Sequence, residues 1–401
     1  MVEFEVHSSS ANVDRALLRL RRERRVCERN KELLVKFSQD RLARGVSRLR
    51  TVKCLYVLRY LAIWHRTSFE EATKESLTQL VNEVECKPLS AASKHDFKAI
   101  LKVFFKWLKG NDDEYPPEIK WLKPKMKQKY KLPEELLTED EVMRLAKAAD
   151  HPRDRALVLV LYETGCRIGE ILTLKMKNIQ FDQYGAILKV TGKTGDRRVR
   201  IISSAPALST WISLHAKADD PEAPLWPPLA NSHRYQNRCM EYRSAYVILH
   251  LLAERAGIKK KVHPHLFRHS RATVLAGKLT ESQMKEYLGW AKASDMAAVY
   301  VHLSGRDVDS AILAMQGMAK PEDRKEEVMR VLLCPRCQEK NSPVAKFCLR
   351  CGTPMSIQAA VQVEEERKVG DELLNKLMQN QEFKDMMFKK VVELVLDKKL
   401  A

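Results

Sequence analysis

Four cysteines fall within eighteen residues of this 401-residue chain: Cys334-Pro335-Arg336-Cys337, a ten-residue interval, then Cys348-Leu349-Arg350-Cys351-Gly352. No other feature restricts the local fold so tightly. Two CxxC knuckles at this interval set four thiolates where a tetrahedral structural zinc ion needs them. A segment this short has too little apolar surface to fold alone, so the metal would supply its folding free energy. With four protein thiolates there is no open position for water, so such a site holds structure and does not catalyse. A pair of disulfides is the competing reading. The nine cysteines are odd in number, and Cys27, Cys54, Cys86, Cys166 and Cys239 are scattered singly. That is the usage of a reducing compartment, which favours the ribbon. The expectation is a zinc ribbon over 333–355 with Cys334, Cys337, Cys348 and Cys351 as ligands.

A chain of this length exceeds one ordinary core, so further domains are expected ahead of the ribbon. Residues 11–117 read as a helical domain. Leu17, Leu18 and Leu20, then Leu33, Leu34 and Phe37, recur at helical spacing among arginines, and Phe97, Ile100, Leu101, Phe104 and Phe105 give the clearest amphipathic face. Residues 11–50 hold thirteen Lys and Arg against five acids, a net of +8. Any one of these arginines could simply be solvated, but their density over forty residues points to a phosphate-facing surface. Asn111 to Pro117 breaks the last helix. A linker over 118–135 follows, in which Lys120, Lys123, Lys125, Lys127, Lys129 and Lys131 carry +6 over 120–131, a stretch with no acid. A backbone-crossing arm and a merely soluble tether both fit that linker.

Another domain is expected over 136–320. Thr138-Glu139-Asp140-Glu141 is a capping box, Pro152 suits a first helical turn, and Gly165 ends the helix that follows. Residues 186–203 change to a period of two around Gly192-Lys193-Thr194-Gly195-Asp196, a β-hairpin with a glycine-rich tip. Helical patterns resume at 235–256 and run to about 318. A tail over 356–401 carries a helical stripe of Phe383, Met387, Val391 and Leu394. Nine acids and eight bases over 357–401 give a net of −1. That balance suits a docking or oligomerisation helix, with packing back on its own chain as the alternative. The fold class is therefore mainly α with a small antiparallel β-sheet (α+β).

Composition narrows the partners. With 71 Lys and Arg against 52 Asp and Glu, the net charge is +19, which suits a polyanion: nucleic acid first, an anionic membrane second. No apolar run reaches the ~18 residues of a membrane span. The first residues, Met1-Val2-Glu3-Phe4-Glu5-Val6-His7, lack the basic and apolar regions of a secretory leader. The expected location is cytoplasmic or nucleoid-associated. Gly192-Lys193-Thr194 imitates the end of a phosphate-binding loop, but Ile187 stands where the first glycine belongs and the segment joins strand to strand. Nucleotide hydrolysis is excluded on both grounds.

The remaining motifs are spread along the second domain. Glu163-Thr164-Gly165-Cys166-Arg167-Ile168-Gly169-Glu170 puts an arginine just after a helix break. His263-Pro264-His265-Leu266-Phe267-Arg268-His269-Ser270 puts His265 and Arg268 at i, i+3 on one helical face. Leu288-Gly289-Trp290 and Val299-Tyr300-Val301-His302 follow. Together these residues resemble the tyrosine recombinase (phage-type integrase) family, whose set is an Arg, a hairpin Lys, His-x-x-Arg, a His or Trp, and a Tyr. In this chain the set falls on Arg167, Lys193, His265, Arg268, Trp290 and Tyr300, in the family's order. The resemblance extends over about 11–318, with 11–117 similar to the family's helical core-binding (SAM-like) DNA-binding domain. The ribbon and tail lie outside it, and ribbon-bearing members look most like archaeal ones.

The resemblance implies a site-specific DNA recombinase that cuts and rejoins strands through a covalent 3′-phosphotyrosyl intermediate. It implies double-stranded DNA as partner and self-assembly, as a dimer on a core site and a tetramer in synapsis. The helix around Asp307–Met318 would then pack on a neighbouring copy. The residue types suit that chemistry. A phenol can attack phosphorus, two guanidiniums can fork onto its non-bridging oxygens, and an imidazole can serve as acid or base near the tyrosine oxygen. Trp290 can donate its indole N–H to a phosphate and pack beneath it. The resemblance assigns Lys193 the protonation of the leaving 5′-oxygen. Neither ATP nor a catalytic metal is expected, and Glu170 is expected to orient Arg167. His263, His265 and His269 could be read as a metal site, but no carboxylate completes an HExxH arrangement and Arg268, Arg271 and Lys259 to Lys261 would repel a cation. Two alternatives stay open: a catalytically silent DNA-binding, transcription-type protein on the same scaffold, in which Arg336 and Arg350 of the ribbon could also touch DNA, and a type IB topoisomerase.

Overall fold

The computed structural model describes residues 10–110, 114–125, 133–192, 194–229, 238–303, 316, 318 and 329–397. The chain divides into two compact units, Met1–Lys131 and Leu132–Ala401.

The first unit is helical, as its periodicity predicts. It comprises α1 (Ser10–Arg22), α2 (Glu28–Ala43), α3 (Arg48–His65), α4 (Lys74–Cys86), α5 (Ala91–Lys109) and the short α6 (Pro117–Lys120). Thr73 and Ser76 form a capping box at the start of α4, and the Ser90 hydroxyl caps α5. Phe37, Phe69, Phe104 and Phe105 are buried and meet edge to face, with Phe37 and Phe104 centroids 5.2 Å apart. Asn30 is buried without cost because both ends of its amide are used. It donates to the Thr67 carbonyl and accepts from the Phe69 N–H, each at 2.9 Å, which ties α2 to the turn after α3. The apolar faces turn inward and leave Arg15, Arg19, Arg21, Arg22, Arg24, Arg48 and Arg50 exposed.

In the second unit, α7 (Glu139–Lys147) starts at the Thr138–Glu141 capping box and α8 (Pro152–Thr164) starts at the anticipated proline. Every residue from Ala156 to Thr164 is buried, so α8 is the central helix of this unit. The short α9 (Ile168–Leu172) leads into β1 (Ile179–Asp182), β2 (Gly185–Gly192) and β3 (Gly195–Ile201), an antiparallel sheet in that order. Leu188 pairs with Val199 and Gly192 with Gly195, which fixes the register of the hairpin. Ala186, Leu188, Val190, Val199 and Ile201 all face the core. After α10 (Ala205–Ser213) come α11 (Tyr242–Arg255), α12 (Pro264–Ala276), α13 (Glu281–Leu288) and α14 (Met296–Leu303). Glu163, at the end of α8, is buried and accepts from the backbone N–H groups of Ile202, Ser203 and Ser204 and from the Ser204 hydroxyl, at 2.6–3.0 Å. A charged acceptor with four donors at a helix start pins α10 against α8.

The ribbon pairs β4 (Leu332–Leu333) with β5 (Lys340–Asn341). It sits at the N-terminal end of α8. Lys340 donates to the Gln183 carbonyl at 2.6 Å in the β1–β2 turn, and Val344, Phe347 and Leu349 face Pro152, Arg155, Ala207 and Thr210 across a cavity of about 650 Å³. The tail forms helices at Ile357–Leu377 and Gln381–Asp397. Leu373, Leu374, Met387 and Phe388 are exposed there and Phe383 is half-buried, while the side chains of Val391 and Leu394 lie outside the described residues. The helix expected around Asp307–Met318 lies almost wholly outside the described residues. Among the described residues no helix is long and apolar enough to cross a membrane.

Candidate active site

The site forms where α8 ends. Gly165 caps that helix at φ 57°, a left-handed conformation in which a Cβ would lie 3.0 Å from Leu288 Cδ2. The reversal brings Arg167 to the first position before α9 and exposes the Gly165 carbonyl to α12. Arg268, on α12, donates Nη1 to that carbonyl at 3.0 Å and Nη2 to the Leu288 carbonyl at 2.8 Å. Arg167 donates Nη1 to the Gly289 carbonyl at 3.0 Å and to Glu170 Oε1 at 2.9 Å. Two guanidiniums from different helices are thus anchored on one dipeptide, Leu288–Gly289. Burial, with the repulsion of Arg167 second, lowers Arg268 to about 10.

Glu170 holds Arg167. Its carboxylate accepts from the Arg167 backbone N–H at 3.0 Å and from Arg197 Nη2 at 2.7 Å, in addition to Arg167 Nη1. Burial works to raise this carboxyl, but hydrogen bonds and charge from Arg197 and Arg167 outweigh it and hold it below the usual range. Glu170 therefore orients Arg167, as expected. Arg197 was not foreseen. It lies on β3 and also donates Nε to the Tyr287 carbonyl at 2.9 Å and Nη2 to Cys166 Sγ at 3.3 Å. Its Nη1 is buried, has no hydrogen-bond partner among the described residues, and lies against Gly289, at whose position a Cβ would come within 2.5 Å of it. The sequence signal is slight: Arg197 and Arg198 are adjacent, and only the strand register turns the first inward.

Trp290 and Tyr300 meet face to face, with centroids 5.5 Å apart and planes 9° from parallel. The Arg268 guanidinium lies 5.5 Å from the indole centroid on this cluster. Tyr300, on α14, is only 4% exposed. Burial raises its phenol and the Arg268 charge pulls partly the other way, with a net upward shift. Arg167, Arg268, Trp290 and Tyr300 therefore converge, from a helix break, two helices and a loop.

The two other expected site residues fare differently. Lys193 lies outside the described residues. Its neighbour Thr194 donates to the Gly289 carbonyl at 3.4 Å, so the hairpin tip stands over the same dipeptide that holds Arg167. Thr194, Asp196 and Arg197, with Glu281, Lys285 and Trp290, line a cleft of about 1010 Å³. His265 and Arg268 stand at i, i+3 on α12, with His265 exposed on the first turn and Arg268 buried. The imidazole on the Tyr300 oxygen is that of His269, whose Nδ1 lies 2.5 Å from Oη. The sequence presented His269 only as part of a weak histidine cluster.

In the ribbon, the four cysteine sulfurs all lie within 4.8 Å of one another, with the Cys334–Cys351 and Cys337–Cys348 pairs at 3.5 Å. Tetrahedral Zn–S bonds of about 2.3 Å place sulfurs about 3.8 Å apart, so the donor set fits zinc. With four thiolates engaged, zinc there would fix the fold of the ribbon.

Comparison with known proteins places two segments of the chain in known families. Residues 135–306 match the phage integrase family, and residues 333–355 match a zinc-ribbon domain. The chain is 30% identical over 240 residues to tyrosine recombinase XerC of Xanthomonas axonopodis pv. citri (strain 306), covering 57% of this chain and 72% of that protein. It is 31% identical over 179 residues to tyrosine recombinase XerA of Pyrococcus furiosus, covering 44% and 60%. Several other curated relatives are spanned over about three fifths of their length. The fold matches a solved structure of a lambda integrase tetramer bound to a Holliday junction, with a TM-score of 0.52 and 16% identity over 69% of this chain and 78% of that one.

Proposed function

The chain belongs to the tyrosine recombinase (phage integrase) family, and from that premise we propose that it is a site-specific DNA recombinase. It cuts and rejoins DNA strands through a covalent 3′-phosphotyrosyl intermediate, without ATP or a catalytic metal. The observation that carries this reading is the anchoring of Arg167 and Arg268 on Leu288–Gly289, with Trp290 beside the Arg268 guanidinium and stacked on Tyr300. The paired guanidiniums form an anion site in search of a phosphate, and a phenol lies beside it. Tyr300 is the nucleophile. Arg167 and Arg268 hold the non-bridging oxygens, where loss of one preorganised donor costs on the order of 10²–10³ in rate. Lys193, at the hairpin tip, protonates the leaving 5′-oxygen. His265, exposed on the first turn of α12, serves the phosphate as acid or base, and Trp290 packs beneath the reacting groups.

Residues 11–117 form the core-binding domain, 118–135 the basic linker, 136–320 the catalytic domain, 333–355 the ribbon and 356–401 the tail. The exposed arginines of α1 to α3 and the linker lysines supply the duplex-facing charge. Double-stranded DNA is the partner. The chain pairs with itself on a core site and forms a tetramer in synapsis. It works in the cytoplasm, on the nucleoid.

The test is a nicked suicide duplex carrying the sequence that the full chain selects from a random DNA pool. The parent chain should leave a denaturant-resistant protein–DNA adduct, and Tyr300→Phe should leave none. An adduct with Tyr300→Phe would overturn the assignment. Relaxation of supercoiled plasmid in EDTA separates the recombinase from a silent DNA binder on the same scaffold, which would leave the plasmid untouched.

A further inference from the structure

We propose that His269 is the general base for Tyr300: it takes the phenolic proton when a strand is cut and returns it when the strand is rejoined. The inference rests on the recombinase reading and deepens it by assigning a proton path that the six-residue set leaves to His265. His269 Nδ1 lies 2.5 Å from Tyr300 Oη, and the two rings sit 5.9 Å apart at 35°. A neutral imidazole with its proton on Nε2 accepts the phenolic O–H through Nδ1, which is the geometry a base needs before transfer. His269 follows Arg268 directly on α12. The same turn of helix therefore presents a phosphate-binding guanidinium and the base for the attacking oxygen. His265 lies one helical turn nearer the N-terminus, about 6 Å along the axis, and is exposed where His269 is half-buried.

The rest of the pocket makes a base necessary. Tyr300 is buried against Trp290, and its phenol holds its proton more tightly than a free tyrosine does. The nearby Arg268 charge stabilises the phenolate once formed but has no site to accept the proton, because a guanidinium is donor only. The proton must leave to another group, and the imidazole is in contact. In the cutting step a lone pair on Oη forms the bond to phosphorus, and the phosphorus–5′-oxygen bond breaks. The phenolic proton passes to His269 Nδ1, and the 5′-oxygen takes a proton from Lys193. Rejoining runs the same transfers in reverse, so protons and electrons balance over one cut and one ligation.

The experiment is single-turnover adduct formation on the nicked suicide duplex described above, for the parent, His269→Ala, His269→Asn and His265→Ala, each with and without added imidazole. General acid–base catalysis is worth about 10²–10⁴ in rate, and His269→Ala should lose a factor in that range. Free imidazole should restore part of the rate to His269→Ala and none to His265→Ala. His269→Asn keeps a polar side chain on Oη but cannot take a proton, so it should lose as much and still bind the duplex. Parental cutting by His269→Ala or His269→Asn, or imidazole rescue of His265→Ala in place of His269→Ala, would overturn the assignment. Absence of an adduct in the parent would instead remove the recombinase reading itself.

Discussion

Gly289→Ala tests whether the carbonyl platform under the two arginines is as constrained as its geometry implies. Gly289 adopts φ +63°, and a left-handed L-residue costs roughly 1–2 kcal/mol. The new methyl would lie 2.5 Å from Arg197 Nη1 and 2.8 Å from its Cζ. Arg197 has little room to yield, because Tyr287, Glu170 and Cys166 hold its other nitrogens. If the guanidinium is expelled, Glu170 stays buried with one partner fewer, a loss that reaches about 3–5 kcal/mol for a broken buried pair. The expected cost therefore starts at about 1–2 kcal/mol, or roughly 2–8 °C in the melting of a unit of this size. Strain on Arg197 should increase it. The assay is thermal melting read on the transition of the second unit, with Arg197→Ala and the double variant completing a cycle. The clash predicts that Gly289→Ala costs less in the Arg197→Ala background, with a coupling of about 0.5–3 kcal/mol. Additive losses, or an unchanged melting temperature for Gly289→Ala, would show that the loop relaxes freely and that Arg197 is not wedged against it.

Other outcomes follow from the same contacts. Arg268→Lys should behave as a disruptive change, because one ammonium cannot span the Gly165 and Leu288 carbonyls, and adduct formation should fall on the order of 10²–10³ while the unit stays folded. Glu170 has a carboxyl held below its ordinary 4.5 in the fold, so its contribution to stability is present above that pH and is lost as pH falls through the depressed value. Acid titration of unfolding should accordingly be flatter for Glu170→Gln than for the parent below pH 4.5. Cys351→Ser should release zinc, measured with a chromogenic chelator, and should raise protease sensitivity within 333–355. Adduct formation in EDTA by the parent should persist, since no catalytic step is assigned to the metal.

Local chemistry made much of the fold legible. The Thr138 capping box, Pro152 and Gly165 at the two ends of α8, and the 186–203 hairpin depend on interactions within a few residues, and the structure has them where the sequence puts them. Strand β1 did not show itself. Its four residues, Ile179 to Asp182, are mostly exposed and gain their strand character from pairing with β2. Arg167, Arg268, Trp290 and Tyr300 could be picked out because the motifs around them resemble those of the tyrosine recombinase family. Arg197 and His269 could not, because their roles arise from contacts across 27 and 31 residues that no local pattern encodes. The i, i+3 rule correctly made His265 and Arg268 neighbours, but burial then divided them between surface and interior.

The near-parallel stack of Trp290 on Tyr300 makes the site its own optical probe. An indole covered on one face by a phenol has a dry, rigid surround on that side, and its emission depends on that surround. Any displacement of the tyrosine ring on mixing with DNA would change the indole's aromatic neighbour, and with it the colour and lifetime of its emission. Replacing the other five of the six tryptophans would leave a single emitter in contact with the reacting side chain. Stopped-flow mixing with DNA would then time the ring's travel separately from bond breaking, with no label attached to either molecule.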